Sequence, residues 1–185
     1  MLELDPAGHV VYKGLPSLQM IRPVNPGSAR ALARFLRAIV IASCVLIAVT
    51  VSAAVKQNET AVAQIRSVLQ AQQDAWNRGD IDGFMNRYAR LASTVFISED
   101  TLTRGWQTVR DRYRKKYSSR AKMGMLTFSD LEIMLLSSDS AVASGRWNLK
   151  RANDQPHGRF TLIFKRLREG WRIVRDHTSA APPPK

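Results

Sequence analysis

Residues 75–84 read Ala-Trp-Asn-Arg-Gly-Asp-Ile-Asp-Gly-Phe, and this stretch joins two predicted helices. Upstream, apolar residues recur at three- and four-residue steps over residues 62–76, which is the spacing of an amphipathic helix. Gly79 lies where a helix end favours a positive φ, and Asp80 lies where the next helix needs a side-chain acceptor. The stretch therefore predicts one helix that ends near Gly79 and a second, short helix that begins after Asp80.

The start of the first helix is also marked in the sequence. Asn58 and Thr60 are both residue types that cap helix N-termini, and they precede the first apolar positions of the helical pattern. Either residue is expected to cap the first helix, which then belongs to a domain over residues 55–179.

The chain then changes from helical to strand periodicity. A short apolar strand at 94–97 and a turn at 98–100 precede a third helix from Gly105 to about Tyr117. From residue 123 onward the period is two. It predicts four further strands, at about 125–136, 140–151, 158–168 and 171–178.

Short turns between these long strands indicate hairpins and hence an antiparallel sheet. The predicted fold class is α+β: a cone-shaped roll of three N-terminal helices packed on a curved antiparallel sheet, preceded by an apolar leader helix. The mouth of such a cone can hold a small ligand. The proline-rich end, residues 180–185, is expected to be a disordered tail.

Composition excludes several classes of site. The chain has 185 residues, enough for one ordinary domain, with one cysteine and three histidines. A single cysteine forms neither an internal disulfide nor a cysteine-rich zinc site, so we expect no metal and no cofactor. The net charge of +13 is compatible with an anionic partner. No nucleic-acid recognition motif is present, so nucleic acid is not an expected partner.

Residues 1–54 are predicted to be an N-terminal extension followed by a signal peptide or a membrane anchor. Residues 38–55 carry no charge and follow Arg30, Arg34 and Arg37, which is the pattern of a secretory leader. Small residues at 52–54 favour cleavage, which would place the domain in the periplasm or outside the cell. The alternative is an uncleaved anchor in the inner membrane through residues 38–55.

The first residues of the chain are unusual for a leader, because Glu3 and Asp5 precede the basic region. A start at Met20 would remove both acids. We therefore expect residues 1–19 to be an extension without structure of its own, with Met1 and Met20 both open as the start.

Residues 75–84 resemble the A-x-N-x-G-D-x-D signature of the nuclear transport factor 2-like superfamily. Residues 141–147 resemble its central strand, and residues 158–162 and 170–179 resemble its closing hairpin. The chain is most similar to the SnoaL-like and ketosteroid-isomerase-like members and to the association domain of calmodulin-dependent kinase II. The resemblance implies a cone with a ligand pocket and a homodimer formed through the outer sheet face. It does not imply one activity, because this fold carries many.

The candidate ligand-binding residues combine aromatic and basic side chains. They are Tyr88, Trp106, Arg146, Trp147, Arg159 and His177. The aromatic members either form a pocket wall or belong to the core. The two arginines lie on neighbouring predicted strands, where they either bind an anionic ligand group or pair with acids such as Asp130.

His177 is the candidate catalytic residue. It shares a strand face with Trp171 and Ile173 in an uninterrupted two-residue period, so the sequence predicts that it lines the cone. An imidazole there would be a general base or a polar ligand contact. The alternative is a structural histidine at the end of its strand.

Three functions remain open on the sequence alone. The first is an exported small-molecule-binding domain without catalysis. The second is a SnoaL-like isomerase, lyase or hydrolase that uses His177 and Arg146. The third is an adaptor that binds anionic surfaces or a protein through the basic third helix. The resemblance does not carry over the mechanism of ketosteroid isomerases, because Gln72 occupies the position of their oxyanion tyrosine and Ile97 that of their general-base aspartate.

Overall fold

The computed structural model of the chain describes residues 2–4, 6–7, 10–12 and 26–182. It divides into two compact units, residues 1–50 and 51–185. In the first unit, strands β1 (Leu2–Leu4) and β2 (Val10–Tyr12) pair antiparallel, with Leu2 opposite Tyr12. The expectation that residues 1–19 have no structure of their own is therefore wrong for these two segments. The alternative start, Met20, lies outside the described residues.

Helix α1 spans Pro26–Asn77 and so runs without interruption from the leader segment into the second unit. The predicted helix start at Asn58 or Thr60 is therefore wrong. Instead of capping a terminus, the Thr60 hydroxyl donates to the carbonyl of Lys56 one turn earlier, at 2.8 Å. Local capping signals cannot reveal whether the chain before them is already helical.

No helix in the described part of the chain is long and apolar enough to cross a membrane. Most side chains of residues 38–55 lie outside the described residues. The signal peptide and the anchor therefore both stay predictions.

The junction quoted from the sequence folds as predicted. Helix α1 ends at Asn77, and Gly79 follows with a φ of 82°. The Asp80 carboxylate then accepts a hydrogen bond of 2.7 Å from the backbone N–H of Gly83. This caps the short helix α2 (Ile81–Met85) by satisfying an N–H that has no partner within the helix.

After α2, the chain forms strands and helices in the order expected, with two additions. The elements are β3 (Val95–Ser98), β4 (Thr101–Arg104), α3 (Trp106–Lys116), α4 (Arg120–Met123), β5 (Met125–Leu135), β6 (Ser140–Lys150), β7 (His157–Leu167) and β8 (Gly170–Thr178). The last four strands confirm the predicted ones to within one residue at each end. Strand β4 and the single-turn helix α4 are additions that the periodicity did not indicate.

The main sheet has six strands in the order β4-β3-β8-β7-β6-β5. Hairpins join β5 to β6, β6 to β7 and β7 to β8, and all three pairs are antiparallel. This confirms the antiparallel prediction for these four strands. Strand β3 instead pairs parallel to β8, with Phe96 opposite Asp176. The sheet is therefore mixed at this one pair, and the pair matters because it brings β3 beside the end of β8.

Side-chain amides fasten α1 to the edge strand β5. The Asn77 amide donates to the carbonyl of Leu126 at 3.0 Å and accepts from its N–H at 2.7 Å. The Gln73 carbonyl oxygen accepts from the N–H of Phe128 at 2.8 Å. These amides bond backbone groups of β5 that would pair with a further strand if β5 were not at the edge of the sheet. Asn77, the asparagine of the signature at 75–84, therefore has a structural role.

The chain continues to pair after β8 ends. The N–H of Ser179 donates to the carbonyl of Arg159 at 3.0 Å, and the N–H of Ala181 donates to the carbonyl of His157 at 2.8 Å. The tail predicted to be disordered at 180–185 is thus ordered through at least Ala181. Residues 183–185 lie outside the described residues.

Candidate functional site

A cavity of about 110 Å³ lies between the helices of the second unit and the concave face of the sheet. Its wall is mainly aromatic and aliphatic, including Trp76, Phe84, Tyr88, Leu149, Phe160 and Leu162. An apolar cavity of about 150 Å³ is large enough to hold benzene. The cavity here is smaller than that and partly open to solvent, so it takes at most about one ring.

Edge-to-face and tilted ring contacts stiffen one side of this cavity. The Trp76 ring centroid lies 4.6 Å from that of Tyr117 and 5.1 Å from that of Phe84. Phe84 in turn lies 5.2 Å from Tyr113. The Trp76 indole also donates to the carbonyl of Met123 at 3.2 Å, so its orientation is held by the backbone.

Asp176 is the buried acidic residue of the cavity, whose lining also includes the exposed Glu99, and a β-bulge puts Asp176 there. Ile163 pairs with Arg175, but the next residue, Phe164, pairs with Ile173, so Val174 is an extra residue in β8. An extra residue exchanges the two faces of a strand beyond it. Ile173 is buried before the bulge, and Asp176, at 4 % exposure, faces inward after it.

Two hydroxyl groups hold the Asp176 carboxyl group. The Tyr88 hydroxyl donates to Oδ2 at 2.6 Å, and the Thr178 hydroxyl donates to Oδ1 at 2.7 Å. Burial nevertheless raises the pKa of Asp176 to about 6, because an ionised carboxylate loses its hydration in the core. The hydrogen bonds act in the opposite direction and do not cancel the cost of burial.

The tyrosines beside this acid remain neutral phenols. Burial raises the pKa of Tyr88 and of Tyr113 well above the ordinary value, and the nearby Asp176 carboxylate adds to the effect. Tyr88 is therefore a hydrogen-bond donor throughout the physiological pH range. The polar end of the cavity thus combines one titratable carboxyl group with fixed hydroxyl donors.

Two of the sequence-predicted residues line this cavity, Tyr88 and Trp147. The Trp147 indole donates to the carbonyl of Ser179 at 2.9 Å, which ties the wall to the segment after β8. Trp106 lies elsewhere. Its indole donates to the carbonyl of Met85 at 2.9 Å, and the Arg90 guanidinium lies 4.9 Å from its ring centroid.

His177 does not line the cavity, which corrects the sequence prediction. The bulge at Val174 breaks the two-residue period on which that prediction relied, so Asp176 faces inward and His177 faces outward. His177 is exposed and pairs with Thr161 and Ile97 in the neighbouring strands. A period-two count cannot detect a bulge, so the sequence missed Asp176.

The two predicted arginines also lie outside the cavity. Arg146 and Arg159 are directly opposite on β6 and β7, which confirms their predicted neighbourhood. Both side chains are exposed, and the Arg146 guanidinium lies 3.0 Å from the Asp130 carboxylate. The pairing alternative from the sequence is the one observed for Arg146.

Part of the basic third helix pairs with other elements of the same domain. Arg110 binds the Asp82 carboxylate through two hydrogen bonds of 2.7 and 3.1 Å, and Arg114 binds it as well. The hydrogen bond from Arg110 lowers the pKa of Asp82. Arg112 donates to the Thr103 hydroxyl at 2.8 Å. Three cations of α3 thus dock helix α2 and strand β4, which reduces the charge left for an anionic partner.

In the part of the chain that the structure describes, no group of three or more histidine, cysteine or acidic residues is arranged to hold a metal ion.

A family model of the SnoaL-like domain matches residues 65–183. The chain belongs to the SnoaL-like family. The match covers all of the cavity-forming elements described above, from the last quarter of α1 to the segment after β8.

Solved structures place this SnoaL-like domain among proteins of the same fold. An NTF-2 like protein of unknown function from Shewanella oneidensis MR-1 is 37% identical, with a TM-score of 0.62, and the match covers 64% of this chain and 98% of that one. A putative calcium/calmodulin dependent protein kinase II association domain from Xanthomonas campestris is 17% identical, with a TM-score of 0.53, covering 64% and 86%.

A protein with a cystatin-like fold from Nostoc punctiforme PCC 73102 is 9% identical, with a TM-score of 0.54, covering 65% of this chain and 90% of that one. A search of curated proteins finds no significant match. These likenesses support the predicted superfamily and its α+β fold.

Proposed function

We propose that this SnoaL-like domain binds a small, largely apolar molecule in the cavity around Asp176. The observation that carries the proposal is a cavity with a mainly aromatic and aliphatic wall, in which Asp176 is buried beside Tyr88 and Thr178, since such cavities are typical ligand sites. Contact between an apolar cavity wall and water is unfavourable. An apolar ligand removes this contact, so its binding lowers the free energy.

Native mass spectrometry of the full chain purified from its own host tests this directly. We expect a discrete extra mass of one small molecule for each protein chain. The variant Leu149→Trp places an indole in the cavity and is expected to lose that mass. Leu91→Trp is the matched control, because Leu91 is 43 % exposed and lies outside the cavity. Equal retention by both variants would contradict the proposal.

The same measurement tests a homodimer. The outer sheet face supports this assembly, because Met134, Val142 and Ile163 are paired in register across three strands. Met134 is 59 % exposed, and Val142 and Ile163 are half-buried, so the row presents apolar surface to solvent. A mass of twice the chain is the expected result.

Export is the third part of the proposal. Its support is the uncharged segment at 38–55 behind three arginines. A mature chain that begins at residue 54 or 55 would indicate cleavage, and an intact chain in the membrane fraction would indicate an anchor.

A second candidate function is general acid–base catalysis by Asp176. Its support is the pKa of about 6, since a group that titrates near the working pH exchanges protons most effectively. This replaces the sequence-based candidate His177, which the bulge turns away from the cavity.

The catalytic candidate makes a distinct prediction for the molecule that the cavity retains. If the protein converts it, Asp176→Asn is expected to lower the rate by about 100-fold or more, because the amide does not exchange the proton. His177→Ala, on the opposite face, is expected to leave the rate within about twofold. A loss of conversion with His177→Ala would contradict the assignment to Asp176. If the native protein does not convert the molecule, the catalytic candidate fails and the proposal of binding without catalysis stands.

A further inference from the structure

The cavity wall contains a polar side chain that the fold does not use. Gln72 is 1 % exposed and lines the cavity one turn before Trp76 on α1. Among the described residues, no group accepts a hydrogen bond from its Nε2. Buried amide groups are rarely left without a partner in native proteins, because the lost hydration is then not compensated.

The two amide side chains closest to Gln72 on the inner side of α1 do have hydrogen-bond partners. Gln73 accepts from the N–H of Phe128, and Asn77 exchanges two hydrogen bonds with Leu126. Both therefore stabilise the contact between α1 and β5. Gln72 makes no such contact, although it is more deeply buried than either of them.

The rest of the cavity restricts what can meet this amide. The Asp176 carboxyl group already accepts hydrogen bonds at both oxygens, from Tyr88 and Thr178. A carboxylate ligand group beside Asp176 would bring two like charges into one buried space, which disfavours an anionic group at this end of the cavity. The cation of the lining, Lys116, is exposed, as is Glu99. A neutral acceptor oxygen satisfies Gln72, and a carbonyl oxygen does so without adding a donor that needs its own partner.

We propose that the Gln72 amide donates a hydrogen bond to the carbonyl oxygen of a neutral ligand whose ring occupies the cavity. This inference rests on the proposed function, since it presumes that the cavity takes a ligand, and it adds the chemical class. A cavity of about 110 Å³ limits the enclosed part to about one ring. The ligand class is therefore a ketone or aldehyde with a single ring in the cavity.

Acetophenone and ethylbenzene test the proposal as a matched pair, because they have similar size and shape and differ in the carbonyl oxygen. Affinities are measured by saturation-transfer NMR on the full chain. We expect the native protein to prefer acetophenone by about tenfold, the effect of one buried hydrogen bond. Gln72→Met, of nearly the same shape, is expected to reduce the preference to within about twofold by weakening acetophenone alone.

Gln73→Met is the control, because it removes an adjacent amide that binds backbone instead of the cavity. It is expected to keep the tenfold preference. Equal affinity of the native protein for both probes would overturn the carbonyl inference while leaving the proposed function standing. If neither probe binds the native protein at millimolar concentration, the proposed function fails, and this inference fails with it.

Thermal unfolding without ligand provides a second readout that a merely structural amide would not produce. Gln72→Met removes an N–H without a partner, so its Tm is expected to equal or exceed that of the native protein. Gln73→Met leaves the N–H of Phe128 without its acceptor and is expected to lower Tm. A fall in Tm for Gln72→Met as large as that for Gln73→Met would assign Gln72 to the fold and overturn the inference.

Discussion

Asp176→Asn is expected to stabilise the protein at pH 7 and to remove a pH dependence of its unfolding free energy. The pKa of Asp176 rises from the ordinary value of 3.8 to about 6 on folding, because the carboxyl group is buried. The folded state therefore binds its proton more tightly than the unfolded chain does. A difference of about two pKa units corresponds to about 3 kcal/mol at neutral pH.

The sign of this effect follows from proton linkage. Stability from Asp176 is fully present below about pH 4, falls as the pH rises towards 6, and stays low above it. An asparagine is neutral at every pH and still has an oxygen to accept from Tyr88. Urea unfolding from pH 4 to pH 8 should therefore show a native curve that declines by about 3 kcal/mol relative to the variant.

Asp139→Asn is the control for this titration. Hydrogen bonds from the Ser137 and Ser140 hydroxyls, with one from Lys165, lower the pKa of Asp139 to about 2. Its contribution is thus present across the whole range from pH 4 to pH 8 and is lost only below it. We expect the curve of this variant to run parallel to the native one. Parallel curves for Asp176→Asn as well would show that Asp176 is not buried in the folded state.

Trp76→Ala is expected to destabilise the domain by about 3–5 kcal/mol, the usual cost of removing a buried aromatic side chain. Trp76 is 2 % exposed, contacts three other aromatic rings and forms part of the cavity wall. Its removal leaves a hole that the strands and helices around it cannot close without losing other contacts. Urea unfolding at pH 7 measures the loss.

Trp106→Ala is the matched comparison, because both indoles donate to a backbone carbonyl and only Trp76 lies in the cavity wall. Trp106 is half-buried and stacks with Arg90 and Arg110 at the surface. We expect it to cost about 1–2 kcal/mol and to leave the retained small molecule in place. A larger cost for Trp106 than for Trp76 would contradict the assignment of the core.

Much of the fold is predictable because its signals are local. The helix end at Gly79 and the cap at Asp80 depend on backbone conformation within a few residues. The last four strands follow from alternation and from the turns between them. Two features are not local: the parallel pairing of β3 with β8 and the continuity of α1 into the leader segment. Neither leaves a periodic signal in the sequence.

The candidate site was less predictable for a specific reason. Tyr88 and Trp147 lie in the cavity wall, but the sequence prediction placed His177 on the inward face of β8, where the structure has Asp176. One extra residue, Val174, accounts for this error, because it exchanges the inward and outward positions after it. Gln72 poses a different difficulty. Its position in the helix is visible in the sequence, but its lack of a partner is visible only in the structure.

Methyl-resolved NMR of the full chain during titration with ethylbenzene tests most directly whether the cavity is a ligand site. Leucine methyl groups report on the cavity and on the outer surface. Leu126, Leu149 and Leu162 line the cavity, and Leu91, Leu102 and Leu136 are exposed elsewhere. We expect saturable shifts confined to Leu126, Leu149 and Leu162. Shifts confined to the exposed leucines, or no shifts at saturating probe, would contradict it.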